Sequence, residues 1–306
     1  MTRTPSALDD TRLEEVADGV HAHIQPDGGW CLNNAGVLVS GGHTALVDTA
    51  ATEARARRLR ELVGTVSPTA PELLVNTHFH GDHTFGNFVF AEAVVLGHRR
   101  TREQAAAAGL HLTGLWPDVD WGAIEVRPPS LTYTDRLTVH VGDLRAELLH
   151  FGPAHSTDDT VVWLPEPRVL FAGDIVMSGV TPFVQMGSVS GSLDTLARLR
   201  ALDPLVVVPG HGPVGGPELI AANEDYLRWV RANARAGLAA GLTELDLARG
   251  LDLGEFAGLL DTERLVPNLR RAYAEENGAE PGAPLPVGEL FEEMVAFHGG
   301  HPVCHA

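Results

Sequence analysis

The chain has 306 residues, 44% of them hydrophobic and 20% charged, which allows a domain with a self-sufficient core and excludes wholesale disorder. Its formal charge of −18, with every one of the 22 basic residues an arginine, excludes the basic face that nucleic-acid backbones require. Cys31 and Cys304 are too few for a disulfide framework, the first twenty residues lack a signal-like apolar run, and no apolar stretch of about 18 residues occurs. The expectation is a cytoplasmic protein with no membrane and no nucleic-acid partner.

After a polar leader, short β-rich runs are predicted at 19–25, 35–41 and 44–50, with Asn33-Asn34 and Gly41-Gly42 as turns. Residues 51–66 carry Ala54, Leu59, Leu62 and Val63 at helical spacing, and the apolar run 72–78 follows at once, completing a β–α–β unit. Further strands are predicted at 93–98, 136–152, 160–174 and 204–212; the paired runs 136–141/144–151 and 160–164/168–173 read as hairpins. Helices at 101–109 and 192–202 interleave with them. From Pro217 the texture changes: 217–242, 243–251, 254–274 and 287–297 look helical and no linker precedes them. The fold class expected is a layered α/β domain over 1–216, with 217–306 a helical extension packed on the same body.

The strongest chemical signal is His78-Phe79-His80-Gly81-Asp82-His83, directly after the apolar run LLVNT and so in a loop at the carboxyl end of a buried strand. Three imidazoles and a carboxylate within six residues suit zinc or a similar ion. His155, Asp174 and His211 each follow a β-run at a glycine- or proline-assisted turn. Singly, each is an ordinary strand-end polar residue. Jointly with the hexapeptide they supply seven donors, enough for two ions sharing a carboxylate.

These residues, in this order, resemble the metallo-β-lactamase-fold hydrolases. The resemblance implies a four-layer αββα sandwich over roughly 15–215 and two divalent metal ions, expected to be zinc. His78, His80 and His155 would hold one and Asp82, His83 and His211 the other, with Asp174 and a water or hydroxide between them. Asp48, in TALVDT, matches the early aspartate that steadies the site loops, or is simply a turn-making carboxylate. Three departures narrow the family: Asp174 stands where many zinc β-lactamases place cysteine, His80 stands where flavodiiron proteins use glutamate, and nothing like the inserted domain of nucleic-acid-processing members is visible.

Several stretches are also similar to the bifunctional cyclase/thioesterases of aromatic (type II) polyketide pathways: 28–39, 75–90, 112–129, 170–191 and the region around YLRWV and GEFAGLLDTERLVPNL. That resemblance implies a polyketide tethered to an acyl carrier protein, closed by an aldol step and released when a metal-bound hydroxide cleaves its thioester. Asp82 or the hydroxide would serve as base. Other thioesterases or lactonases of the fold, glyoxalase II-like, are the alternative. An apolar cleft for a flat substrate would draw on Trp30, Trp116, Trp121, Phe183 and Met186, residues that ordinary core packing also explains. Cys31 reads as a small buried residue rather than an acyl acceptor, and the tail HGGHPVCHA as a packing segment rather than a third metal site. His21, His23, His43, His98, His111, His140 and His150 read as surface or strand residues, and Arg55–Arg60 and Arg99–Arg102 as solvated helix faces rather than a carrier-protein dock. Oligomeric state stays open, a homo-oligomer included.

Overall fold

The structure is a computed structural model that describes residues 8–306. Strands β1 (Arg12–Ala17), β2 (Val20–Ile24), β3 (Ala35–Ser40), β4 (His43–Val47), β5 (Leu73–Asn76), β6 (Val94–His98) and β7 (Leu131–Tyr133) form a seven-stranded sheet in that order. It begins as an antiparallel meander and becomes parallel from β4 onward. The second sheet has five strands in the order β12-β11-β10-β9-β8, formed by β8 (Arg136–Val141), β9 (Leu144–Leu149), β10 (Val161–Leu164), β11 (Val169–Met177) and β12 (Val206–His211). Both predicted hairpins are present.

Period-two alternation decides which face each strand residue takes. On β11, Val169 and Phe171 enter the core between the sheets, while Leu170 and Ala172 face the outer helices. On β10, Val162 and Leu164 point inward and Val161 and Trp163 outward. Val20, Leu38, Val47, Val75 and Leu96 complete the inter-sheet core from the other side. The sheets approach closely at Gly36, where a Cβ would stand 2.6 Å from the Phe171 ring.

Helices cover both outer faces, so the α/β class and the four-layer sandwich are as expected. Helix α1 (Glu53–Val66) starts where Thr52 Oγ1 accepts the Arg55 N–H at 3.3 Å and stops at Ser67, which Pro68 holds extended. It buries Leu59 and Val63 against Leu46, Leu74 and Val95. On the five-stranded sheet, α5 (Val189–Ala201), α6 (Glu218–Ala240) and α8 (Leu265–Glu276) share a core with Leu170, Trp163 and Val207. Short helices α2 (Gly81–Thr84), α3 (Arg99–Ala108), α4 (Leu112–Leu115) and α7 (Glu244–Gly250) fill the connections, and α9 (Val287–His298) follows α8. No helix among the described residues is long and apolar enough to cross a membrane.

Three local expectations are corrected. The polar leader contains β1, an edge strand largely exposed to solvent, so it lacks the apolar pattern of a buried strand. The three-residue β7 lies outside every predicted strand, too short to leave a periodic signal. The single helix expected over 254–274 is broken: Gly254–Gly258 and Thr262–Arg264 are 3₁₀ turns, and α8 begins only at Leu265. Between them Leu260 pairs with the chain at Gly179 and Thr181, through Leu260 N–H to Gly179 O at 3.0 Å and Thr181 N–H to Leu260 O at 2.9 Å. A tertiary pairing there overrides helical propensity.

Candidate metal centre

The seven donors arrive from four separate segments at one edge of the two sheets. The segment after β5 turns through α2 and carries His78, His80, Asp82 and His83, its backbone anchored where Thr49 Oγ1 donates to His83 O at 2.9 Å. The turn after β9 carries His155; Ser156 binds Asp159 at both ends, and the Thr160 N–H reaches Thr77 O at 2.7 Å. His211 closes β12. Asp174 does not end its strand, because β11 runs on to Met177 through a break in the ladder beside Gly173. Gly210 lies directly alongside, and a Cβ there would strike the Asp174 carboxylate.

All seven are buried and converge as two groups: His78, His80, His155 and Asp174, and Asp82, His83 and His211, each with donor atoms within 4.8 Å of one another. Asp174 stands between them. Its Oδ2 lies 3.5 Å from both His155 Nε2 and His211 Nε2, and its Oδ1 is 3.1 Å from His83 Nε2. Asp82 Oδ2 lies 3.3 Å from His211 Nε2.

Outer hydrogen bonds set the tautomers. The Thr77 hydroxyl donates to Asp48 Oδ2 at 2.6 Å, so at 3.0 Å it accepts from His78 Nδ1–H. His83 Nδ1 donates to Asp48 Oδ2 at 2.9 Å, His155 Nδ1 to Phe183 O at 2.5 Å, and His211 Nδ1 to Gly28 O at 3.0 Å. Each of these rings turns Nε2 inward. His80 is reversed: its Nδ1 faces His78 Nε2 at 3.0 Å and His155 Nε2 at 2.9 Å. Asp48, at φ 62°, pays a backbone strain while it orients His83 and also accepts the Thr77 N–H at 2.7 Å.

Electrostatics fit the same picture. Burial, and then the neighbouring imidazoles, push His78 and His80 well below the usual histidine range. Burial works against a proton on His83 and His211 as well, but the carboxylates outweigh it: Asp174, Asp48 and Asp82 lift His83 well above its usual value, and Asp174 and Asp82 lift His211 to about 9. Asp82 and Asp174, despite burial, are held ionised by those histidines. The two carboxylates therefore draw positive charge into the centre, as protons or as cations in their place. His83 Nε2 and Asp174 Oδ1, 3.1 Å apart at the centre, are buried without a well-formed hydrogen bond, and so is His80 Nε2 on the outer side of its ring. Nitrogen lone pairs about 3 Å apart beside orphaned buried polar atoms are a donor set that divalent ions complete.

A cavity of about 60 Å³ opens on this centre. Trp30, Trp116, Phe183 and Met186 line it with His80, Asp82, His155, Asp174 and His211. Trp121 does not: it packs on Phe85 and donates its indole N–H to Trp116 O at 3.1 Å. The Trp30 ring meets Trp116 at 5.3 Å and Phe183 at 5.5 Å between centroids. Residues remote in sequence fix these tryptophans. Glu263 accepts the Trp30 indole N–H at 2.7 Å, the Arg264 guanidinium lies 4.0 Å over the Trp30 ring, and Pro302 O accepts from Trp116 Nε1 at 2.8 Å.

Several lining residues lacked a sequence signal. His111, read as an ordinary surface or strand histidine, lines the cavity, as do Gln185, Arg264, Phe291 and Met294. Arg55 is not on a solvated face either: it is buried and donates to Gln25 Oε1 and to His305 O. The neighbouring Arg57, Arg58 and Arg60 do reach Glu53, Glu61 and Glu92 on the surface. A hydrogen bond with the Cys304 thiol, reinforced by burial, pushes the Cys31 thiol up, against an acyl-acceptor role. The tail packs Cys304 and Ala306 against the cluster containing Cys31, and among the described residues it forms no third group of metal donors.

The profile of the Metallo-beta-lactamase superfamily matches residues 28–211. Among curated proteins, metallo-beta-lactamase type 2 of Bacteroides fragilis is 26% identical over 225 residues, covering 69% of this chain and 83% of that one. A linear primary-alkylsulfatase of Pseudomonas sp. (strain ATCC 19151) is 25% identical over 310 residues, 83% of this chain and 58% of the sulfatase. Among solved structures, a metallo-beta-lactamase from Pontibacter korlensis superposes with a TM-score of 0.57 at 20% identity, over 72% of this chain and 99% of that one, a likeness of fold alone.

Proposed function

The chain belongs to the metallo-beta-lactamase superfamily, and from that premise we propose that it is a metal-dependent thioesterase acting on an aromatic polyketide bound to an acyl carrier protein, with aldol ring closure at the same site. The observation that carries this reading is the convergence of seven buried donors beneath a cavity walled by aromatic side chains. The sequence resemblance to polyketide cyclase/thioesterases supplies the substrate class.

His78, His80 and His155 would hold one divalent ion, Asp82, His83 and His211 the other, and Asp174 would be shared. Bound there, such ions supply Lewis acidity, polarising a carbonyl and acidifying water. The chain's own residues do the rest. Asp82, which lines the cavity and is held ionised by His83 and His211, or a hydroxide beside it, would take a proton from the methylene between two ketones. Trp30, Trp116 and Phe183 offer stacking faces and keep bulk water from the reacting carbon. Asp48 and the carbonyls of Gly28 and Phe183 keep three imidazoles turned inward.

The size of the cavity favours a second reading. About 60 Å³ is well below the roughly 300–1,000 Å³ of drug-sized ligand sites, which supports a short acyl thioester or a lactone as the substrate. The deciding experiment compares the metal-loaded protein on a thioester mimic of an aromatic polyketide and on S-lactoylglutathione. Preference for the former by tenfold or more in kcat/KM is the expected result, and preference for the latter establishes the second reading.

A further inference from the structure

Resting on the reading that this cavity receives the acyl group, we propose that the side-chain amide of Gln185 is a substrate-binding group. It would donate to an oxygen of the acyl chain beyond the thioester carbonyl, so that the enzyme selects acyl groups oxygenated along their length over plain alkyl chains.

Gln185 lines the cavity beside Phe183 and Met186, is only 2% exposed, and its Nε2 has no hydrogen-bond partner. A buried amide N–H left unpaired is costly, and one that lines a cavity can be completed by a ligand. Its backbone, in contrast, is firmly placed. Arg271 Nε donates to Gln185 O at 3.0 Å and Arg271 Nη2 at 2.5 Å, and one residue earlier the Val184 N–H reaches Asn268 Oδ1 at 3.0 Å. Asn268 Nδ2 also donates to Pro182 O at 2.7 Å. The segment that fixes His155 through Phe183 O therefore also presents this amide, with its donor unengaged.

Two more wall atoms share the condition. His111 Nδ1 and Arg264 Nε are buried without partners, and both residues line the same cavity. The Gln185 amide, set among tryptophan and phenylalanine rings, suits a ligand with a flat apolar body and an acceptor oxygen. A plain alkyl chain would leave that amide unsatisfied.

The test uses the full chain loaded with zinc and two acids of equal length as binding probes, 3,5-dioxohexanoic acid and hexanoic acid, followed by tryptophan fluorescence. The wild type is expected to bind the dioxo acid more tightly. Q185M, which keeps the volume and removes the amide, is expected to weaken that acid about tenfold and leave hexanoic acid within twofold. Q185E, which exchanges the donor for an acceptor, is expected to weaken it further. Equal binding of the two acids by wild type, or unchanged dioxo binding in either folded variant, overturns the proposal. Hydrolysis of the matching N-acetylcysteamine thioesters is read separately: its absence counts against the thioesterase reading, while the binding ratios still judge Gln185.

Discussion

Asp48 does three things with one carboxylate: it accepts His83 Nδ1–H, the Thr77 hydroxyl and the Thr77 N–H. An asparagine keeps the size but gives one end of the group to an NH₂, which must face a donor. Asp48→Asn is therefore expected to weaken metal binding about 10- to 100-fold, measured by chelator competition, as outer partners of metal ligands generally do. Asp158 offers a different check. Burial, then the nearby Asp159, raises its pKa from 3.8 to about 7, and its Oδ1 lies 2.8 Å from the Ser156 hydroxyl, which donates to Asp159 and so accepts from the protonated Asp158. A group whose pKa rises on folding contributes stability that is full below its unfolded value and lost as pH climbs through the folded one. The stability it lends is thus complete below about pH 4 and gone above about 7. Asp158→Asn should gain thermal stability relative to wild type as pH goes from 5 to 8; a constant difference in unfolding temperature would refute the assignment.

Strand ends rather than helices carry the centre, and one contact between elements governs its shape. β11 and β12 run parallel, with Gly173 opposite Pro209, and the missing side chain of Gly210 is what leaves room for the Asp174 carboxylate. Gly210→Ala is expected to displace Asp174 and lower metal stoichiometry below that of wild type, measured by elemental analysis of the folded protein. Unchanged stoichiometry would remove that steric role. Much of this was legible beforehand, because the donors follow apolar runs at glycine- or proline-assisted turns, a pattern that reports strand ends; at Asp174 the glycine marks a break in the ladder and β11 runs on to Met177. The αββα layering was legible through the resemblance that the metal motif carries; 161–164 and 169–172 are apolar throughout, and only the structure assigns their residues to faces. What escaped the sequence depends on distant partners. The break at Leu260 follows from pairing with Gly179 and Thr181, and the placement of Trp30 depends on Glu263 and Arg264. Edge strand β1 was missed because an exposed strand need not look apolar.

At the scale of the molecule, the donors bridge the two sheets: His78 to His83 follow the seven-stranded one, while His155, Asp174 and His211 belong to the five-stranded one. Ions held by both would tie the halves of the sandwich together, and ligand binding to the native state alone raises its stability. Dialysis against a chelator is expected to lower the midpoint of thermal unfolding by several degrees and to abolish turnover, with both restored by zinc; an unchanged midpoint would show that the sheets hold without the ions. Part of the cavity wall has a separate origin. All seven donors precede residue 212, whereas Arg264, Phe291, Met294 and the Pro302 carbonyl come from the chain that follows. Exchanging the segment after residue 212 would therefore reshape one side of the cavity while leaving every donor in the chain, which makes that segment the natural handle for altering selectivity without touching the centre.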